Sequence, residues 1–148
     1  MSNRSSPPTS GTNNRKVSFA SCERAMIARL VHDHPFATLI TPHSPEPLVT
    51  HLPLLHVADR EPHGTLCGHF ARANPHAQVA AGAAVIAIFH GPHAYVSPSW
   101  YAEPSSAVPT WNYAVAHAHG TIEFAHDAAA TRAVLDLMIH RFEAGRVT

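Results

Sequence analysis

Charge is scarce in this sequence. Asp, Glu, Lys and Arg make up 14% of its 148 residues, where an ordinary domain carries about 25%. The ten basic and ten acidic side chains cancel, so no bulk field draws the chain to DNA, RNA or an anionic membrane. Cysteine is scarcer still. Cys22 and Cys67 build neither a disulfide framework nor a Cys-rich zinc site. No apolar run approaches the ~18 residues of a membrane span. The N-terminus lacks an apolar signal core, which makes the cytoplasm the expected compartment. Proline and histidine are abundant, with 13 and 14 residues, and so much proline argues against a helical bundle. A chain of this length buries roughly 70% of its unfolded surface in one core. One domain is therefore expected, with a charge-poor surface suited to cover by a second subunit.

Residues 1–17 contain MSNRSSPPTSGTNNRK, which has almost nothing to bury. They read as a disordered arm ahead of a domain over 18–148. Ser21 to Asp33 reads as a helix, with Met26, Ile27, Leu30 and Val31 on one face. Pro35 stops it by pushing His34 out of the α region. Strand signals follow in FATLIT (36–41), LVTHLPLLHV (48–57), GTLCGHF (64–70), AAVIAIFHG (83–91), HAYVS (93–97) and NYAVAHAHGTIEF (112–124). Pro53 inside the second run marks an edge or a bulge. Pro75 to Gly82 reads as a short helix with a glycine cap. Asp127 is placed to cap a last helix, whose apolar face holds Thr131, Val134, Leu135, Met138 and Phe142. The expected fold is mainly β (α+β): a six-stranded antiparallel barrel with flanking helices.

Positive charge has a telling distribution. Between Leu30 and Thr131 the only Lys or Arg side chains are Arg60 and Arg72. Arg60, in ADREPHG, reads as part of a solvated turn. Arg72 follows a strand and precedes Asn74 and a short helix, an order that suits a phosphate. A guanidinium fork and free N–H groups at a helix start both attract an anion. A surface Arg in a loop is the plainer reading of the same residue. His117 and His119 are two apart on a strand and share a face, but two imidazoles fall short of a metal site's three or four ligands. Ser97, Ser99 and Ser106 near His93 lack a G-x-S-x-G elbow, which sets a hydrolase aside. Tyr95, Trp100, Tyr101, Trp111 and Tyr113 cluster around a Pro/Ser loop, where aromatics fasten a loop or line the pocket of a flat ligand.

The strings HPFATLIT, THLPLL, GHFARANP, IFHGPHAYVSPSWY and VPTWNYAVAHAHG resemble the PaiB-type FMN-binding negative transcriptional regulators, over about Phe19 to Glu143. The resemblance implies a split β-barrel of the pyridoxamine-phosphate-oxidase type, forming a homodimer with FMN at the subunit interface. It implies that His69, Arg72 and Asn74 surround the FMN phosphate, and that Thr50, His51 and Leu52 run along the isoalloxazine ring. It also implies that Trp111 and Asn112 reach the flavin from the other subunit. Members of the family usually continue past the last helix into another strand and a basic segment resembling KLSQNR, whereas this chain ends at GRVT.

A role in regulating gene expression is carried by the family name. No helix-turn-helix is visible, and two well-separated arginines in the barrel argue against direct DNA binding. Two alternatives stay open. One is an FMN-dependent oxidoreductase of the same barrel class, for which no catalytic residue is identifiable and no second basic residue is present to hold a phosphorylated substrate. The other is a haem-binding split barrel, suggested by the histidine content.

Overall fold

The computed structural model describes residues 22–58, 63–125 and 127–145. The expected arm over 1–17 and the turn with Arg60 lie outside the described residues. Helix α1 spans Cys22–Asp33 and stops where Pro35 forbids its continuation. Strands β1 (Phe36–Thr41), β2 (Leu48–Pro53), β3 (Leu55–Val57), β4 (Thr65–Cys67), β5 (Ala84–Val96) and β6 (Thr110–Thr121) follow, and helix α2 (Ala128–Glu143) closes the order. Asp127 caps α2 as expected, accepting from the Ala130 amide at 2.6 Å.

Six strands are present among the described residues, but prolines divide them differently from the sequence reading. The run 48–57 is two strands, because Leu54 leaves the ladder to donate its N–H to the Pro35 carbonyl at 2.8 Å. The runs 83–91 and 93–97 are one strand, because the chain passes Pro92 with a register shift between His90 and His93. Such a bulge absorbs a residue without a ladder donor while the pairing resumes beyond it. The expected helix from Pro75 to Gly82 is a single 3-10 turn, Pro75–Gln78. Gly82, at φ +84°, belongs instead to the turn into β5.

The sheet order is β2-β1-β5-β6, all antiparallel, with β3-β4 as a separate ribbon. The inner face carries Ala37, Leu39, Leu52, Ala87 and Phe89, all buried, and α1 adds Val31 to the same core. Phe89 is fully buried, and its loss to Ala would cost about 4 kcal/mol. Helix α1 approaches closely at Gly91, where a Cβ would lie 2.8 Å from Leu30 Cδ1 and 3.1 Å from the Ala114 carbonyl oxygen. A side chain there would have to push Leu30 aside and crowd the Ala114 carbonyl.

The outer face of the same sheet is different. Its central row runs His51, Thr38, Ile88, His117 across all four strands. His51 and His117 are exposed and Thr38 and Ile88 half-buried. Beyond the last residues paired with β1, β5 and β6 continue as a two-stranded arm, pairing His93 with Tyr113 and Tyr95 with Trp111. Among the described residues no helix is long and apolar enough to cross a membrane.

Candidate functional site

The site begins at β2, an edge strand of the main sheet. Alternation along a strand sends neighbours to opposite faces. Thr50 and Leu52 point inward and are buried, whereas His51 points outward and is exposed. The loop after β4 is drawn against this strand. At Gly68 a Cβ would lie 2.7 Å from both Leu54 Cδ2 and the Pro53 carbonyl oxygen, so only glycine allows so tight a pass.

Beyond Gly68 the loop is pinned by three residues. The Thr50 hydroxyl donates to Asn74 Oδ1 at 3.1 Å. Asn74 Oδ1 also caps the 3-10 turn by accepting from the His76 amide at 2.9 Å. With the Thr50 proton committed to Asn74, Thr50 Oγ1 accepts from His76 Nδ1 at 2.7 Å. That network assigns the proton of the neutral ring to Nδ1. His76 is fully buried, and its Nε2 has no hydrogen-bond partner. Burial pushes the His76 imidazole below the ordinary histidine range, because a cation there would lose its hydration.

Thr50 and Asn74 were both expected at the site, and the structure bonds them to each other. Leu52 lies in the core beneath them. His69 and Arg72 sit exposed on the pinned loop, and among the described residues no carboxylate pairs with Arg72. The helix start invoked for an anion is absent. A four-residue 3-10 turn has almost no aligned dipole. Its donors are also spent: the Asn74 N–H on the Ala71 carbonyl, the His76 N–H on Asn74 Oδ1, and the Ala77 N–H on the Asn74 carbonyl. Any charge compensation here rests on the Arg72 guanidinium.

On the other side of β2, His51 lines an open hollow of about 760 Å³ with Phe36, Thr38, His90 and Phe142. The sequence reading did not place Phe36, His90 or Phe142 at the site, although Phe36 and His90 lie within the strings HPFATLIT and IFHGPHAYVSPSWY. It also missed His76. The available signal was the Asn-Pro capping pattern at Asn74–Pro75, which turns the following side chain back toward β2. A second cleft, of about 530 Å³, lies inside the barrel between Leu54, Leu66 and Phe70 on one side and Ala118, Ile122 and Phe124 on the other.

Trp111 and Asn112 are not brought to this place within one chain. They lie on β6, three strands from β2, and seven and six residues beyond the row that contains Thr50. Strand spacings of ~4.8 Å and rises of ~3.4 Å put Trp111 on the order of 25 Å from Thr50. There Trp111 stacks on His93, centroids 5.7 Å apart, and leans on Tyr95 at 6.2 Å, while remaining 52% exposed.

Comparison with known proteins gives this geometry a context. Residues 15–148 match the family described as "Putative FMN-binding domain". The chain is 36% identical over 122 residues to the "Protease synthase and sporulation protein PAI 2" of Bacillus subtilis, covering 81% of this chain and 56% of that protein. It is 32% identical over 139 residues to an uncharacterized protein of Emericella nidulans, covering 74% of this chain and 55% of that one. The chain thus spans about half the length of the curated relatives it matches. Among solved structures, the FAD and heme binding protein of Mycobacterium smegmatis superposes with a TM-score of 0.64. That match is at 24% identity and covers 83% of this chain and 55% of the other; it establishes the split-barrel fold.

Proposed function

The chain belongs to this FMN-binding domain family, and from that premise we propose that it is a cytoplasmic, PaiB-like regulator of gene expression that holds FMN between the two copies of a homodimer. Residues 18–148 form the flavin-binding domain in this reading, behind an arm over 1–17. One observation carries it. Arg72 stands on a loop bonded to the edge strand β2, with no carboxylate partner among the described residues, while His51 faces a hollow large enough for a flavin ring from the other side of that strand. An anion anchor and an apolar ring surface on one strand are what the two ends of FMN require.

Each residue then has a defined task. Arg72 binds the phosphate, with His69 beside it. Asn74 and Thr50 hold the loop so that the guanidinium does not have to be ordered on binding. His51 and Phe36 bound the ring surface and exclude water from it, above Leu52 in the core. Trp111 and Asn112 reach the ring from the second copy, which is the way for them to meet Thr50 across the distance above. Bound FMN would supply one- and two-electron redox chemistry at its ring. The regulatory role rests on the resemblance to the PaiB-type regulators, and direct DNA contact is no part of the proposal.

Titration with FMN and with riboflavin tests the anchor. Removing one partner of a desolvated charge pair costs at least about 2 kcal/mol, a weakening of roughly 30-fold. Arg72→Ala should weaken FMN by that factor and leave riboflavin, which lacks the phosphate, unchanged. Equal weakening of both ligands would assign Arg72 to the fold or the ring pocket instead.

A second reading is haem binding, favoured by the apolar interior cleft that has His63 among its lining residues. A Soret band on adding haemin, lost in His63→Ala, would support it.

A further inference from the structure

We propose that His76 is the positioning residue of the phosphate anchor: a proton on its Nδ1 directs a hydrogen-bond chain that ends on the turn carrying Arg72. This rests on the flavin reading above, and adds to it a residue buried away from the ligand.

The chain of bonds starts in the interior. His76 is fully buried and lies against Phe70, with ring centroids 6.1 Å apart. Phe70 in turn meets Phe124 edge-on at 6.4 Å. Nε2 has no hydrogen-bond partner, so among the described residues the bond from Nδ1 to Thr50 Oγ1, at 2.7 Å, is what orients the ring. Burial also keeps the ring neutral, by pushing it below the ordinary histidine range.

Which nitrogen carries the proton decides what happens next. A hydroxyl has one proton to give. With its oxygen accepting from His76, Thr50 sends that proton to Asn74 Oδ1 at 3.1 Å. The other tautomer would make Nδ1 an acceptor and draw the Thr50 proton to itself. Asn74 would then lose its tie to β2, and an N–H would be buried at Nε2 without an acceptor. Asn74 is also the residue that closes the turn. Its N–H reaches the Ala71 carbonyl at 2.8 Å, with Arg72 and Ala73 between them. Among the described residues no ion pair holds the exposed Arg72 side chain. Its place is therefore set by the turn, and the turn is bonded by side chains to β2 through Thr50, across 24 positions of sequence.

Binding reads the fraction of chains in which the turn is held. Without the His76 donor the Thr50 proton is no longer steered, so both bonds weaken together. Two neutral hydrogen bonds change such an equilibrium by up to about 100-fold. That takes the turn from mostly held to mostly loose and weakens FMN by about tenfold.

Titration with FMN and with riboflavin, beside circular dichroism and urea unfolding, separates position from packing. His76→Leu keeps the volume and removes the donor. His76→Asn keeps a donor, because the Asn amide nitrogen stands where Nδ1 does, and gives up volume. His76→Leu should weaken FMN about tenfold and change riboflavin by less than about twofold. His76→Asn should restore FMN to within about threefold of the wild type, although the space it leaves lowers stability in urea. In a chain already carrying Arg72→Ala, His76→Leu should add nothing to the loss of FMN. Thr50→Val, a smaller change, should give the same phosphate-specific loss, and it decides the matter if His76→Leu does not fold. Equal weakening of both ligands, no weakening of FMN, or failure of His76→Asn to restore it makes His76 a packing residue and overturns the proposal, while the Arg72 anchor stands. An Arg72→Ala chain that binds FMN as the wild type does removes the anchor itself, and the proposal with it.

Discussion

The loop pinned to β2 and the arm formed by β5 and β6 are built on opposite principles. At the loop, Thr50, Asn74 and His76 satisfy one another within one chain, and His76 is fully buried. On the arm, Tyr95, Trp111 and Tyr113 are 47%, 52% and 70% exposed, with Trp111 stacked on His93 and leaning on Tyr95. Polar groups at the loop are worth keeping only if they are paired in the folded chain. Aromatic groups on the arm lose little by waiting for a partner, and each offers a large area when one arrives. The contrast separates what this chain does alone from what the proposed second copy would supply.

The largest effect that would break this contrast is at His76. His76→Ala leaves a cavity and removes the partner of Thr50, and should destabilise the chain by about 3 kcal/mol in urea unfolding. Next comes the arm in its associated form. Trp111→Ala should weaken self-association by about 2 kcal/mol, measured by sedimentation. Thr50→Val keeps the shape but leaves the His76 Nδ1 proton and Asn74 without the hydroxyl, at a cost of about 1.5 kcal/mol.

Acid acts on the loop through His76. Its folded pKa lies below its unfolded one, so the unfolded chain binds the proton first. Its stabilising contribution is complete above about pH 6.5 and is lost as pH falls from there toward the folded value, by at most about 1.4 kcal/mol per unit. His76→Gln should remove that share of the slope in denaturation measured at several pH values. The smallest effect closes the comparison: Trp111→Ala in the dissociated chain should change unfolding stability by about 0.5 kcal/mol or less. A much larger loss would mean that the arm is part of the single chain's core.

Much of this was legible in the residues. FATLIT became β1 with both ends in place, because an alternating β-branched run between Pro35 and Pro42 has no other good conformation. Asp127 became the cap of α2, since capping depends on groups three residues away. Thr50 and Asn74 were named through the family's strings, and their bond is a fact of the structure. Pro92 misled, because a proline is equally compatible with a strand end and with a bulge inside a longer strand. His76 went unnoticed, because the Asn74–Pro75 cap marks a turn but does not name the strand it packs against.

The sequence by itself determined the kinds of element, the mainly antiparallel β class, the family and the isolation of Arg72, all of which follow from composition, local periodicity and motif. Only the tertiary structure decided which residues meet. Thr50 reaches Asn74 and His76 across 24 and 26 positions, and the histidines from three different strands fall on one outer face because the register across the sheet puts them there. Local preference acts over a few residues. Register and strand order are set by how the whole inner face packs, and a shift of one residue would have turned His51, His90, His117 and His119 inward.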